Sequence, residues 1–296
     1  MENNFIREDI NFYSNGIRCS AWLYLPNIDK KCPVIVMAHG LGGTKEMWLD
    51  RYAKEFTCRG YACLLFDYRN YGTSDGNKRQ LVNVKDQLID WNNAIDFIKK
   101  DKRIDKNKIL IFGSSFSGGH SITLSAKRND IKAAIAQCPY TNNIATIKTI
   151  TSILILKFIP YLILDLLSCL TGYHPVMLDL AAPKGKTALM SVSEYDKFIK
   201  RVPKNINFVN KVPTRTILEF LKYCPSKYMN KINNPILIGT CLKDSLAPAK
   251  ATIHCAKDIK NITLKEYNCG HFDIYFDDFY EEAIKDYIEF YDKMIN

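Results

Sequence analysis

The chain of 296 residues has ten cysteines but no C-x-x-C pair, which argues against a zinc site and a thioredoxin-like redox motif. Its five histidines show no paired spacing, so no metal site is expected. No internal repeat and no low-complexity tract is present. The start, Met-Glu-Asn-Asn-Phe-Ile-Arg-Glu-Asp, lacks a basic residue followed by an apolar run, and no secretory signal is expected from it. The cysteines are therefore expected to be reduced thiols in the cytoplasm, several of them buried as small apolar side chains. There is no arginine-rich tract and no basic run interleaved with aromatics, which argues against a nucleic-acid partner.

What is present is the profile of a globular protein with a sizeable core, 47% apolar and 24% charged. The net charge of +10 is uneven. Residues 141–233 carry 13 Lys/Arg against 5 Asp/Glu, a balance of +8 that leaves the remainder near neutral. Such a segment suits an anionic membrane, an acidic substrate or simple solvation.

Alternation of apolar and polar residues on either side of Asn15-Gly16 predicts a β-hairpin over the first 27 residues. Short continuous apolar runs predict buried parallel strands at 33–38, 61–66, 108–112, 133–137, 235–240 and 262–267. Helical spacing lies between them, at 44–58, about 81–100, from Phe116, about 248–258 and 279–294. Strand–helix alternation predicts an α/β fold with a mostly parallel sheet covered on both faces. The alternation stops near Pro139 and resumes at Pro235. Residues 1–140 and 234–296 are thus expected to form one core domain. Residues 141–233 are expected to form a helical cap inserted into it.

The segment Gly113-Ser114-Ser115-Phe116-Ser117-Gly118-Gly119 follows a buried strand and opens a helix. That is the setting of a nucleophile elbow, a tight turn needing small residues two before and two after the nucleophile. Gly113 and Ser117 flank Ser115 in this way, although Ser117 stands where G-x-S-x-G has its second glycine. A rival frame has Ser117 as nucleophile. Asp244 lies just past a later strand, and His271 just past the last one. The order Ser, acid, His and the placement at carboxyl ends of parallel strands suit a triad. His271 would take the serine proton, and Asp244 would fix the ring tautomer and stabilise the imidazolium. Asp273 is a weaker candidate for the acid. His39, His120, His174 and His254 have weaker chemical contexts. The oxyanion donors are expected to be the backbone N–H groups of Phe116 and Leu41, the latter in the loop His39-Gly40-Leu41-Gly42-Gly43. As a phosphate cradle, that loop lacks both G-x-G-x-x-G spacing and a Gly-Lys-Ser/Thr ending.

In order along the chain stand H-G-L-G-G-T-K-E-M at 39–47, L-D-R-Y-A at 49–53, F-D-Y-R-N-Y-G-T-S-D-G at 66–76, G-S-S-F-S-G-G-H at 113–120, K-D-S-L-A-P at 243–248 and G-H-F-D-I-Y at 270–275. Together they resemble bacterial α/β-hydrolases of the dienelactone hydrolase-like, X-Pro dipeptidyl-peptidase-like and serine aminopeptidase-like group. The resemblance implies the α/β-hydrolase fold and a Ser–Asp–His triad, with no cofactor. The group includes esterases, peptidases and acyl-transferring enzymes, so it does not define a substrate.

Residues 141–233 fall where this fold carries a lid. Ile147–Leu170 is very apolar but interrupted by Lys157, Pro160 and Asp165, which predicts two short helices broken near Pro160 rather than a transmembrane span. These helices are expected to line an acyl pocket. The leading function is hydrolysis of a carboxylic ester, thioester or related small-molecule acyl substrate through an acyl-serine. Peptide cleavage or acyl transfer on the same triad is an alternative, but no acidic cluster in the basic segment would recognise an amine. A non-catalytic, membrane-associated or interaction protein is the alternative of another class. Dehalogenase chemistry would need an aspartate at the elbow, where Ser115 stands.

Overall fold

The computed structural model describes residues 5–149 and 152–295; the first four residues, part of the segment in which no secretory signal is expected, lie outside them. The hairpin strands β1 (Phe5–Ser14) and β2 (Ile17–Pro26) turn at Asn15 and Gly16, both with positive φ (50° and 80°). That is the geometry of a tight hairpin turn whose twist matches its strands, and it explains Asn-Gly there.

Next come β3 (Cys32–Ala38), α1 (Leu49–Cys58), β4 (Ala62–Phe66), α2 (Val84–Ile98), β5 (Ile104–Ser114), α3 (Phe116–Lys127) and β6 (Ala133–Gln137). After an insertion, β10 (Ile236–Cys241), α8 (Ala249–Ala256), β11 (Ile262–Tyr267) and α9 (Asp277–Ile295) complete the core. The sheet order is β1-β2-β4-β3-β5-β6-β10-β11, parallel from β4 onward. Strands β4, β6 and β10 are buried along their whole length, which is why their sequences are continuous apolar runs. Helices α1 and α9 cover one face, with Tyr52, Phe56, Tyr287 and Tyr291 fully buried. Helices α2, α3 and α8 cover the other, where Trp91 is fully buried. Truncating a side chain of that size costs about 3–5 kcal/mol. Helix α1 starts later than its periodicity suggests, at Leu49, because 44–48 form turns instead.

The insertion differs from a purely helical cap. It contains α4 (Asn143–Ile147), α5 (Ser152–Thr171), β7 (Met177–Pro183), β8 (Ala188–Val192), α6 (Tyr195–Arg201), β9 (Lys211–Pro213) and α7 (Ile217–Lys222). The three strands form their own sheet in the order β8-β7-β9. Asp179 interrupts β7, Ser191 interrupts β8 and β9 has only three residues, so none reads as a continuous apolar run. Helix α5 is also continuous through Pro160, not broken there. Proline removes one N–H and costs about 3 kcal/mol in a helix interior. Pro160 lies on the exposed face, so the carbonyl that loses its partner is not trapped in the core. The helix is held by buried Asp165, which pairs with Arg215 (2.8 Å) and accepts the Val176 N–H (2.8 Å).

Candidate active site

Four loops at the carboxyl ends of β3, β5, β10 and β11 converge. Ser115 follows β5 with φ 57° and ψ −117°, a strained conformation for a non-glycine residue and the mark of a sharp elbow. The turn is pinned from both sides: Ser115 N–H donates to the Gln137 carbonyl (2.8 Å), and Tyr140 N–H to the Ser115 carbonyl (3.0 Å). A Cβ on Gly113 would meet the Ser117 carbonyl oxygen at 2.0 Å, so that position requires glycine.

Ser115, Asp244 and His271 come together. His271 Nε2 lies 3.0 Å from Ser115 Oγ, and its Nδ1 lies 2.6 Å from Asp244 Oδ2. The other carboxylate oxygen accepts the N–H groups of Leu246 and Ala247, both at 2.7 Å. Asp244 is thereby oriented toward the ring, the arrangement that lets Nδ1–H donate to the carboxylate while Nε2 faces the serine. Burial disfavours the imidazolium, but the adjacent Asp244 carboxylate, together with Cys138 and Glu194, raises the His271 pKa above the usual 6.5. The histidine is therefore more basic than an unperturbed ring.

The rival frame finds no base. Ser117 is fully buried; its hydroxyl donates to the His39 carbonyl and bonds the Tyr68 hydroxyl, which accepts from Trp91 Nε1 (2.7 Å). A serine thus stands in place of the second glycine because its hydroxyl ties the elbow to the 39–43 loop. Asp273 does not reach the ring: it accepts the Gly270 N–H (3.0 Å) and faces Lys197 (3.7 Å). His39 and His120 are buried structural histidines, pushed down by burial to about 4 and about 3. His39 bridges the Gly40 N–H and the Met47 carbonyl, and His120 bridges Tyr223 and Gln87. His174 and His254 are exposed.

The 39–43 loop presses against Ser115: a Cβ on Gly40 would fall 2.7 Å from Ser115 Cβ. Leu41 and Phe116 line the same cavity as Ser115 and His271. Neither backbone N–H has an acceptor among the described residues. The loop is clamped by Asp67, which accepts both the Lys45 N–H (2.6 Å) and its ammonium (2.7 Å), all buried.

The cavity over Ser115 measures about 470 Å³. Its walls come largely from the insertion, including Leu154, Phe158 and Leu162 of α5 and Phe220 of α7. Only the inner face of α5 takes part; Leu164 points outward and is 54% exposed. A residue that sequence reasoning missed is Glu194, from the insertion, whose Oε2 accepts the Ser245 hydroxyl (2.6 Å). Nothing in the local pattern around Glu194 signals that role, because it depends on how the insertion folds back. Among the described residues no cluster of His, Cys, Asp and Glu could hold a metal.

Residues 29–278 match the family described as serine aminopeptidase, S33. The chain belongs to that family of α/β hydrolases. Curated relatives match along nearly the whole chain. The quorum-quenching protein AidA of Acinetobacter baumannii is 40% identical over 288 residues, 97% of this chain and 95% of the relative. The polyketide transferase af380 of Aspergillus fumigatus is 26% identical over 297 residues, 98% of this chain and 99% of the relative. Among solved structures, the α/β hydrolase GrgF from a Penicillium species superposes with a TM-score of 0.83 at 21% identity, covering 98% and 99% of the two chains. That likeness establishes the α/β-hydrolase fold. As an S33-family protein, the chain is a serine hydrolase acting on acyl substrates.

Proposed function

We propose that Ser115, His271 and Asp244 are the catalytic triad of a hydrolase for small esters or thioesters with an apolar acyl group. The observation that carries this is the continuous hydrogen-bonded chain from Asp244 through His271 to Ser115 at the floor of an apolar cavity. A volume of about 470 Å³ falls within the usual ligand-pocket range of roughly 300–1,000 Å³.

In the first step, Ser115 Oγ attacks the acyl carbonyl while His271 Nε2 takes the hydroxyl proton. The carbonyl electrons move onto oxygen, and the N–H groups of Leu41 and Phe116 hold that oxyanion. Collapse breaks the bond to the alcohol or thiol, which leaves with the proton from His271. Water then attacks the acyl-serine by the same route, releasing the acid and restoring Ser115. Asp244 keeps the ring oriented and stabilises the imidazolium. No cofactor is needed for this sequence.

A second reading, acyl transfer to another alcohol or amine, uses the same acyl-serine and is favoured by the similarity to a polyketide transferase. The ten free thiols are in keeping with a cytoplasmic setting. We also propose peripheral contact with a membrane through the basic, apolar insertion. The test of the main reading is labelling with a fluorophosphonate probe, followed by turnover of p-nitrophenyl esters of increasing chain length against thioester analogues. Absence of both labelling and turnover by folded protein overturns it.

A further inference from the structure

Helix α5 has two faces of opposite fate. Leu154, Phe158, Asp165 and Ser168 are buried on one side, at helical spacing. The other side presents Leu156, Ile163, Leu164, Leu167 and Leu170, with Leu170 84% exposed. Ten of the seventeen exposed large apolar side chains among the described residues lie between Ile155 and Tyr173. A contiguous patch of this kind marks an interaction site. The window Leu154–Thr171 is long and apolar enough to cross a bilayer, but two observations oppose a span. Asp165 is buried in an ion pair with Arg215, and the site residues before and after α5 meet in one place.

The surroundings of the patch are basic. Lys157 lies on α5, Lys148 just before it, and Lys184 lines the mouth of the cavity with Ile155 and Ile159. None of these lysines has an acidic partner among the described residues. A second copy of the chain would bring another insertion of charge +8 against the first. An anionic lipid surface instead meets both features: apolar side chains enter the acyl boundary, and lysines meet headgroups.

We infer that the outward face of α5 seats the enzyme on an anionic bilayer, lying in its plane, so that acyl substrates dissolved in the lipid enter the cavity past the same helix. The docking stands on the surface alone; the entry route rests on the acyl-substrate reading. Apolar substrate need not cross water to reach Ser115, because Ile155 and Ile159 are both partly exposed and part of the cavity wall.

The experiment is co-sedimentation of the purified protein with phosphatidylcholine vesicles, with and without about a third phosphatidylglycerol. The wild type is expected to pellet with the anionic vesicles and to be released in large part by high salt. The double variant Ile163→Glu/Leu167→Glu, checked for an unchanged melting temperature, is expected to lose binding by more than about tenfold. Neither residue lines the cavity, so turnover of a soluble short-chain ester should be unchanged. Wild-type protein that stays in the supernatant with every vesicle overturns the inference. So does light scattering that finds a dimer which the double variant converts to monomer, since a second copy would then cover the face. Vesicle binding without probe labelling supports the docking and overturns the catalytic reading.

Discussion

Glu194 Oε2 accepts a 2.6 Å hydrogen bond from Ser245 Oγ, next in sequence to Asp244, and so joins the insertion to the loop that carries the acid. Its other oxygen faces Gly270, where a Cβ would approach to 2.3 Å. The carboxylate adds to the influences that raise the His271 pKa, after the larger effect of Asp244. Glu194→Gln keeps an acceptor but removes the charge. The acid limb of kcat/KM should therefore move to lower pH, because the imidazolium loses a stabilising neighbour. A limb at the same pH in variant and wild type would show that Glu194 does not act on His271.

The two serines of the elbow should separate cleanly. Ser115→Ala should abolish fluorophosphonate labelling with little change in stability. Ser117→Ala should retain labelling but destabilise the fold by about 1–3 kcal/mol, because the Tyr68 hydroxyl and the His39 carbonyl lose their shared partner. Labelling that follows Ser117 instead would make the other frame the nucleophile.

The core was legible because its strands are buried on both faces and read as short apolar runs between amphipathic helices. The candidate site residues could be picked out because each stands within four residues of the end of such a strand. The limits were physical too. Gly40 reveals its role only through its approach to Ser115, and the hydroxyl of Ser117 only through its bond to the His39 carbonyl. The small sheet of β7, β8 and β9 escapes sequence reading because polar residues interrupt β7 and β8, and β9 has only three residues. The continuity of α5 through Pro160 escapes it because the contacts that hold the helix beyond the proline, buried Asp165 with Arg215 and the Val176 N–H, are tertiary and leave no mark in the local sequence.

Replacement of the acid tests both orientation and charge. Asp244→Asn should lower kcat on the order of 10⁴-fold, since the amide can favour the wrong tautomer. The wild-type limb of kcat/KM should lie above the ordinary histidine value of 6.5, because Nε2 accepts a proton only when the ring is neutral and Asp244 raises its pKa. In the residual activity of Asp244→Asn, burial remains without the opposing carboxylate, so the limb should fall. Asp273→Asn, which alters only the Gly270 contact and the Lys197 pair, should change kcat little. A larger loss at Asp273 would reverse the assignment.

Acid stability should report on the two structural histidines. Burial holds His120 down to about 3 and His39 down to about 4. Below about pH 6.5 the unfolded chain protonates each ring while the native state does not. Stability therefore falls as pH drops through that window, by about 1.4 kcal/mol per pH unit for each ring. His271, whose pKa is raised, is protonated in both states below 6.5 and adds no slope there. Urea unfolding at pH 6.5 and pH 5 should show the loss, and His120→Gln should reduce it by about 2 kcal/mol. An equal loss in variant and wild type would mean His120 is not held neutral.

The acyl cavity makes a prediction about chain length. Its α5 wall consists of Leu154, Ile155, Phe158, Ile159 and Leu162, so each added methylene of an acyl chain should pass from water to apolar surroundings until the cavity is full. One buried methylene is worth about 0.8 kcal/mol, or about fourfold in kcat/KM. A series of p-nitrophenyl esters should thus rise about fourfold per carbon and then level off. Leu162→Trp adds bulk to the inner wall and should make the rise level off at a shorter chain, with short esters little affected. Leu164→Trp, two residues on but facing outward, should leave the profile where it was. The pair controls for general damage to the insertion, because both variants carry the same new side chain on the same helix. If both shift the profile equally, or if neither does, the acyl group does not lie against α5.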